Sequence, residues 1–116
     1  MLGVDIIEIS RIHHAIETFG DAFLGKIFTK SERDYCESST KKFERYAVRF
    51  AAKEAVAKVI KQGPRPFWQD IEIINDQNGA PIVVLSERLK NIFPHTIETS
   101  LSHCKDYAVA VAMVRQ

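Results

Sequence analysis

The stretch Arg49-Phe50-Ala51-Ala52-Lys53-Glu54-Ala55-Val56-Ala57-Lys58 constrains the fold more than any other part of the chain. It is rich in alanine and holds neither Gly nor Pro, so its propensity is helical. At about 100° per residue, Ala47, Val48, Phe50, Ala51, Ala52, Ala55, Val56, Ala57, Val59 and Ile60 point nearly all round the axis. A helix that is apolar on every side is buried in the middle of a fold. Glu54 and Lys58 interrupt the pattern. They stand one helical turn apart, about 5–6 Å between Cβ atoms. A charged pair set among Phe50, Ala51 and Ala57 is costly unless a metal or a phosphate satisfies it. The plainer alternative is helix support worth a few tenths of a kcal/mol.

The remaining elements arrange themselves around that helix. Leu2 to Ile9 reads as a strand with Leu2, Val4 and Ile6 on one face and Gly3, Asp5 and Ile7 on the other. Both faces are largely apolar, which predicts a central strand. Asp5 lies inside this apolar run with no basic neighbour in sequence. A buried carboxylate raises its pKa or finds a cation; capping a nearby loop or helix is the structural alternative. Ser10 to Phe19 is a helix with Ile12, Ile16 and Phe19 inward and Gly20 as its stop. Arg11 sits in its first turn, where positive charge opposes the helix dipole, so an external anion is a reason to keep it. His13 and His14 are adjacent and read as surface residues. Ala22 to Phe28 reads as a connecting segment.

Thr29-Lys30-Ser31-Glu32 is a capping box opening a short helix to about Glu37. Ser38-Ser39-Thr40 breaks it, and the central helix runs from Lys41 or Lys42 to just before Gly63-Pro64. Ile71 to Ile74 and Pro81 to Leu85 flank the turn Asp76-Gln77-Asn78-Gly79 as a hairpin. Ser86 caps a helix that Pro94 ends. Ile97 to Ser102 alternates, and His103 continues the face of Ile97, Thr99 and Leu101. Tyr107 to Val114 is a central strand whose Ala108, Ala110 and Ala112 let another element approach closely. The order β-α-α-α-β-β-α-β-β predicts an α+β domain, a mainly antiparallel sheet packed on a long central helix.

The 116 residues suit one domain spanning 1–116. A net charge of +1 gives no global field toward nucleic acid or a membrane. No apolar run approaches a membrane span, and no signal peptide is visible at Met1-Leu2-Gly3-Val4-Asp5. Two cysteines, without CxxC or zinc spacing, predict reduced thiols in a cytoplasmic protein. Cys36 lies among polar residues, which suggests exposure. Asp5, Glu54 and Lys58 together then suggest a hard-oxygen site. Magnesium uses one or two carboxylates with substrate phosphates and water, and a neighbouring lysine suits a phosphate oxygen. Structural ion networks share this appearance.

Gly3-Val4-Asp5-Ile6-Ile7-Glu8-Ile9 with Arg11-Ile12, and Arg49-Phe50-Ala51-Ala52-Lys53-Glu54-Ala55 with Lys58, resemble the signature of the holo-acyl-carrier-protein synthases, the small 4′-phosphopantetheinyl transferases. The similarity continues through Thr29-x-x-Glu32, Asn78-Gly79-Ala80-Pro81 and Ser100-Leu101-Ser102-His103, and it covers essentially the whole chain. It implies transfer of 4′-phosphopantetheine from coenzyme A to a serine of apo-acyl carrier protein, for fatty acid biosynthesis, leaving adenosine 3′,5′-bisphosphate. It implies that Asp5 and Glu54 hold magnesium, that Lys58 neutralises the pyrophosphate, and that the serine proton goes to a metal-bound water or to Asp5. Arg49 and His103 would meet the coenzyme, as would Lys61 and Gly63 in the loop that follows the helix. Arg11 would meet the acidic carrier protein, and the small family members are homotrimers with active sites between subunits. Where the family commonly has Gly-Thr-Gly after the lysine, this chain reads Val59-Ile60-Lys61-Gln62-Gly63-Pro64-Arg65, and only Gly63 matches; Lys61 and Arg65 would supply charge there instead. Another magnesium-dependent nucleotide enzyme and a non-catalytic partner-binding domain are the competing classes.

Overall fold

The structure, a computed structural model, describes residues 1–60, 66 and 68–115. The chain begins with β1 (Leu2–Glu8) and turns directly into α1 (Ile9–Phe19). Next come α2 (Asp21–Ile27), α3 (Lys30–Glu37) and the long α4 (Lys42–Val59). A 3₁₀ turn (Trp68–Asp70) leads into β2 (Ile71–Asn75) and β3 (Pro81–Leu85), followed by α5 (Glu87–Ile92), β4 (Thr96–His103) and β5 (Tyr107–Arg115). The strands form two antiparallel sheets, one ordered β1-β5-β4 and one pairing β2 with β3. This is the expected α+β arrangement with one helix more.

The added helix is α2, which replaces the connecting segment expected at Ala22 to Phe28. Gly20 sits at φ 55°, so the chain ends α1 and restarts at once. Leu24 and Ile27 then turn inward together with Phe28. Seven residues with Gly25 among them carry little helical propensity, and the burial of these apolar side chains makes the difference. Phe19, expected inside, is the last residue of α1 and is exposed; the buried side chains of that helix, Ile9 and Ile12, lie in its first half.

Local chemistry sets the other boundaries. Thr29 Oγ1 accepts from the Glu32 amide at 3.3 Å while Glu32 Oε1 accepts from the Thr29 amide at 2.9 Å, a complete capping box. Asp76 Oδ1 accepts from the amides of Asn78 and Ala80 at 2.8 and 2.9 Å, and Gly79 at φ 85° closes the hairpin. Ser86 caps α5 by accepting from the Leu89 amide at 3.2 Å.

The sheet packs on α4 through its small-residue face. Ala110 and Ala112 of β5 are buried in one cluster with Ala51, Ala52, Ala55, Val56 and Val59 of α4, and Ala108 in another with Tyr46 and Ala47. Register fixes what else shares that face: Gly3 opposes Ala112, Asp5 opposes Ala110 and Ile7 opposes Ala108. On the other side of β5, Thr99, Leu101 and His103 oppose the same three alanines. Gly3 is where strand and helix come closest. A Cβ there would overlap the Ala55 carbonyl oxygen and lie 3.1 Å from Val59 Cγ2.

Two expectations need correction. β1 is an edge strand, not a central one, because β5 alone pairs with it and takes the middle of the sheet. Its outward face continues onto β5: Leu2, Val4, Ile6, Tyr107, Val111 and Met113 are between 41% and 68% exposed. The two-sided apolar pattern thus reports an open apolar face rather than two covered ones. Cys36 is fully buried, since α3 turns it onto Tyr46 and Ala47 of α4, and burial pushes its thiol up to about 12.

Gly3→Ala tests the helix–strand contact. The obstacle is helix backbone, which cannot rotate away as a side chain can. The variant should lose at least the ~1–3 kcal/mol typical of an overpacked core, read from urea unfolding. An unchanged midpoint and slope would show that the contact carries no constraint.

Candidate active site

Asp5 points toward α4 because its register partner Ala110 does. The acid is mostly covered, with a side chain 16% exposed, and Lys58 Nζ lies 3.2 Å from Asp5 Oδ1. The same ammonium donates to the Val4 carbonyl at 2.8 Å. Two of its three N–H donors are therefore spent on β1, while half of the side chain faces solvent. Glu54 lies one turn earlier on the same flank of α4 and is half-buried. It also directly precedes Ala55, whose carbonyl meets Gly3. The cation absent from the sequence around Asp5 thus arrives from α4.

Arg49 and His103 belong to a second cluster, toward the N-terminal end of α4. Together with Tyr35, Lys41, Glu44 and Arg45 they line a cavity of about 270 Å³. His103 Nε2 lies 3.4 Å from Glu44 Oε2. Arg49 and Glu54 are five residues apart on α4, about 7.5 Å along the axis and about 140° round it. Within one chain, then, Lys58 meets Asp5 on the flank that carries Glu54, and Arg49 and His103 line a cavity on another side of the helix. Arg49 is 4% exposed, and its Nη2 donates to Asn75 Oδ1 at 3.0 Å. Its Nε is buried with no partner among the described residues. Burial pushes this guanidinium below its ordinary pKa, although Cys36, Tyr35 and Glu32 oppose the shift. The cavity is smaller than most pockets that enclose a whole ligand, so it suits one charged end of a larger molecule. Arg11 is exposed in the first turn of α1. Lys61 and Gly63, with Arg65, lie outside the described residues.

The most deeply buried charge of α4 is neither Glu54 nor Lys58 but Lys53, which is fully covered. Its Nζ lies 2.6 Å from Glu32 Oε1 and donates to the carbonyls of Ile27 at 2.7 Å and Trp68 at 3.2 Å. All three ammonium donors are used. Glu32 is 1% exposed, and its Oε2 also accepts from the Ile73 amide at 2.7 Å. Burial holds the lysine below its usual pKa, and Glu32 pulls it back up. This pair ties α2, α3, the 3₁₀ turn and β2 to the helix that carries Glu54 and Lys58. Sequence reading also passed over Lys41 and Arg45. Their signal was present: Lys41, Arg45 and Arg49 recur every fourth residue, a basic stripe down one side of the helix.

The family model described as the 4′-phosphopantetheinyl transferase superfamily matches residues 1–112. The chain belongs to that family. A holo-[acyl-carrier-protein] synthase of Chloroherpeton thalassium is 44% identical over 115 residues, covering 97% of this chain and 95% of the relative. That of Ruminiclostridium cellulolyticum is 46% identical, covering 98% and 90%. Among solved structures, the Helicobacter pylori holo-[acyl-carrier-protein] synthase in complex with coenzyme A superposes with a TM-score of 0.89 at 31% identity, over 99% of this chain and all of that one. The Neisseria meningitidis synthase gives 0.90 at 30% identity, over 99% and 97%. The chain is accordingly an enzyme of the phosphopantetheinyl transferase class, with the α+β fold of these synthases.

Removing one partner of the buried pair should be costly. Lys53→Met leaves Glu32 buried without its cation, a loss of about 3–5 kcal/mol by analogy with other broken buried pairs. Lys53→Met combined with Glu32→Gln should lose less than the two single changes summed. Additive losses in urea unfolding would mean that the two side chains do not act together.

Proposed function

We propose that this enzyme transfers the 4′-phosphopantetheine group of coenzyme A to a serine of apo-acyl carrier protein, releasing adenosine 3′,5′-bisphosphate, with magnesium as cofactor and in the service of fatty acid biosynthesis. The observation that carries this is the contact of Lys58 with Asp5 on the flank of α4 that also bears Glu54. Phosphoryl transfer asks a protein mainly to position its reactants and to neutralise charge on the phosphate oxygens. Of these three side chains two are carboxylates and one an ammonium, a set that by itself would repel a pyrophosphate. A divalent cation reverses the sign, and a pair of hard oxygen donors beside an open face suits magnesium shared with substrate phosphates. Among the described residues no group of three or more acidic, His or Cys side chains could hold a metal. A pair of carboxylates is the kind of donor set that a substrate's phosphates complete. Asp5 and Glu54 would hold the ion, which when bound supplies charge neutralisation at the pyrophosphate.

The protein's own groups divide the remaining work. The serine oxygen attacks the phosphorus bearing the pantetheine arm, and the bond from that phosphorus to the nucleotide's phosphate breaks. The serine proton passes to Asp5 or to water beside it. Lys58 is held by Val4 O and Asp5, and its third N–H is left to meet the departing phosphate, whose charge grows as the bond breaks. Such a fixed donor favours the transition state over the ground state. Arg49 and His103, now with Lys41 and Arg45, would receive the anionic nucleotide. Lys61 and Gly63 are proposed to meet the coenzyme as well. Arg11 would meet the acidic carrier protein, where complementary charge speeds encounter.

The open apolar face of β1 and β5 supports a homotrimer, because exposed apolar patches of this kind mark contact surfaces. The placement of the two clusters on different sides of α4 supports active sites shared between subunits. A magnesium-loaded flank of one chain would face the basic cavity of another. No helix among the described residues is long and apolar enough to cross a membrane, and a cytoplasmic location is part of this proposal.

Mass spectrometry of apo-acyl carrier protein incubated with the enzyme, coenzyme A and magnesium should show a serine-linked gain of the phosphopantetheine arm. Asp5→Ala and Glu54→Ala should abolish it, while Lys58→Ala lowers kcat by roughly 10²–10³, the scale of one lost preorganised donor. Absence of any mass gain with the unaltered enzyme would overturn the reading, and a normal single-turnover rate for folded Lys58→Ala would remove that residue's role.

Val4→Glu places a charge on the apolar face without touching the Val4 carbonyl that Lys58 uses. Sedimentation should show trimer giving way to monomer, with activity lost alongside. An unaltered sedimentation coefficient would put the subunit contact elsewhere.

A further inference from the structure

Tyr35 lies on α3 and has been given no role above, yet two of the basic side chains of α4 meet on its ring. The guanidinium carbon of Arg45 is 4.0 Å from the ring centroid and that of Arg49 is 4.1 Å from it. The two arginines are one turn apart on α4, where like charges repel and long side chains would splay into solvent. An aromatic ring attracts each of them through its electron-rich face. Both are further pinned: Arg45 Nη1 donates to the Tyr35 carbonyl at 2.8 Å, and Arg49 Nη2 to Asn75 Oδ1 at 3.0 Å. All three residues line the cavity of about 270 Å³. The acid in that wall, Glu44, lies 3.4 Å from His103 Nε2 and, among the described residues, forms an ion pair with neither arginine. Arg49 is almost wholly buried, and its Nε has no partner among the described residues. Two arginines held side by side, with donor capacity unspent, form a site for a dianion, which the guanidinium fork matches in geometry as well as charge.

We propose that Tyr35 is a positioning residue that aligns Arg45 and Arg49 for the phosphomonoester of the nucleotide substrate, and that it thereby sets the preference for donors carrying that phosphate. This rests on the reading of the chain as a coenzyme A-dependent transferase. The adenosine end of coenzyme A carries a 3′-phosphomonoester, and 3′-dephospho-coenzyme A lacks only that group. Without the ring, the arginines must be ordered at the moment of binding. The cost falls on donor affinity and not on the bond-breaking step.

The experiment measures kcat and KM for coenzyme A and for 3′-dephospho-coenzyme A with the unaltered enzyme, Tyr35→Phe and Tyr35→Leu, each checked by thermal melting. Tyr35→Phe keeps the ring and should stay within about twofold of the parent. Tyr35→Leu should raise KM for coenzyme A by about tenfold, the scale of one to two lost cation–π contacts. Its kcat should hold, and KM for the dephospho donor should change far less, so the preference between donors shrinks. A Tyr35→Leu enzyme that melts normally and keeps the parental ratio of the two KM values would overturn the proposal. Should Tyr35→Leu fail to fold, Tyr35→Met is put through the same comparison, and failure of both to fold would make Tyr35 a core residue and equally overturn it. An unaltered enzyme that uses neither donor would instead defeat the coenzyme A reading itself.

Discussion

The approach of α4 to β1 at Gly3 is the constraint on which the rest of the structure depends. With no Cβ at that position, the helix backbone at Ala55 rests directly on the strand. Ala108, Ala110 and Ala112 continue the same shallow surface along β5. Packing this close has a chemical consequence. Asp5 is two residues from Gly3, and Glu54 is next to Ala55, so the acid of the strand and the acid of the helix flank one contact. Lys58, a turn further on, can then reach the Val4 carbonyl and Asp5 together. A bulkier interface would still bury apolar area, but it would move the helix outward and carry both charges away from the strand.

Close packing alone does not fix the helix in rotation or along its axis, since small smooth side chains slide past one another. The buried Lys53–Glu32 pair supplies that fixity. It joins α4 to the ends of α2 and α3, to the 3₁₀ turn and to β2 with directed bonds, and no donor of the ammonium is left over. Such a pair adds little net stability over well-packed apolar residues. Its value here is geometric: any shift of α4 would strand a buried cation, so alternative registers of the helix are disfavoured. Lys53 is adjacent to Glu54, and the residue that locks the helix therefore also sets the direction of one proposed ligand.

Elements that announce themselves locally were legible in the sequence. The capping box, the Asp76–Gly79 turn, the Ser86 cap and the all-round apolar helix each carry their cause within a few residues. β5 was legible as the central strand for the same reason, having alanines on one face and larger apolar groups on the other. What depended on distant partners was not. α2 has too few residues and one glycine too many to declare itself, and only the burial of Leu24, Ile27 and Phe28 makes it a helix. An apolar pattern on both faces of β1 cannot distinguish neighbouring strands from an uncovered surface. In the site, helical spacing set Glu54 and Lys58 together but could not show that the ammonium crosses to β1. Nor could it show that the adjacent Lys53 is the buried one, because its partner lies on another helix. The arginine stripe was visible as spacing, whereas the ring on which Arg45 and Arg49 rest comes from α3 and is brought there only by folding.

A net charge of +1 leaves the chain no long-range field with which to gather anions, so attraction has to come from local clusters. The two clusters on α4 have opposite character. On the proposed function, the carboxylate-rich one accepts an anion through a divalent ion and the arginine-rich one accepts an anion directly. A nucleotide with a phosphomonoester at one end and a pyrophosphate at the other needs both. In one chain they face different sides of α4 and flank the sheet's central strand from opposite edges. A second chain docked on the apolar face of β1 and β5 can bring its own basic cavity to the Asp5 flank. On the proposed function, burial of the apolar face and completion of the active site are then the same event. The isolated chain would keep its fold but lack half of its substrate contacts, so the enzyme would be switched on by its own assembly.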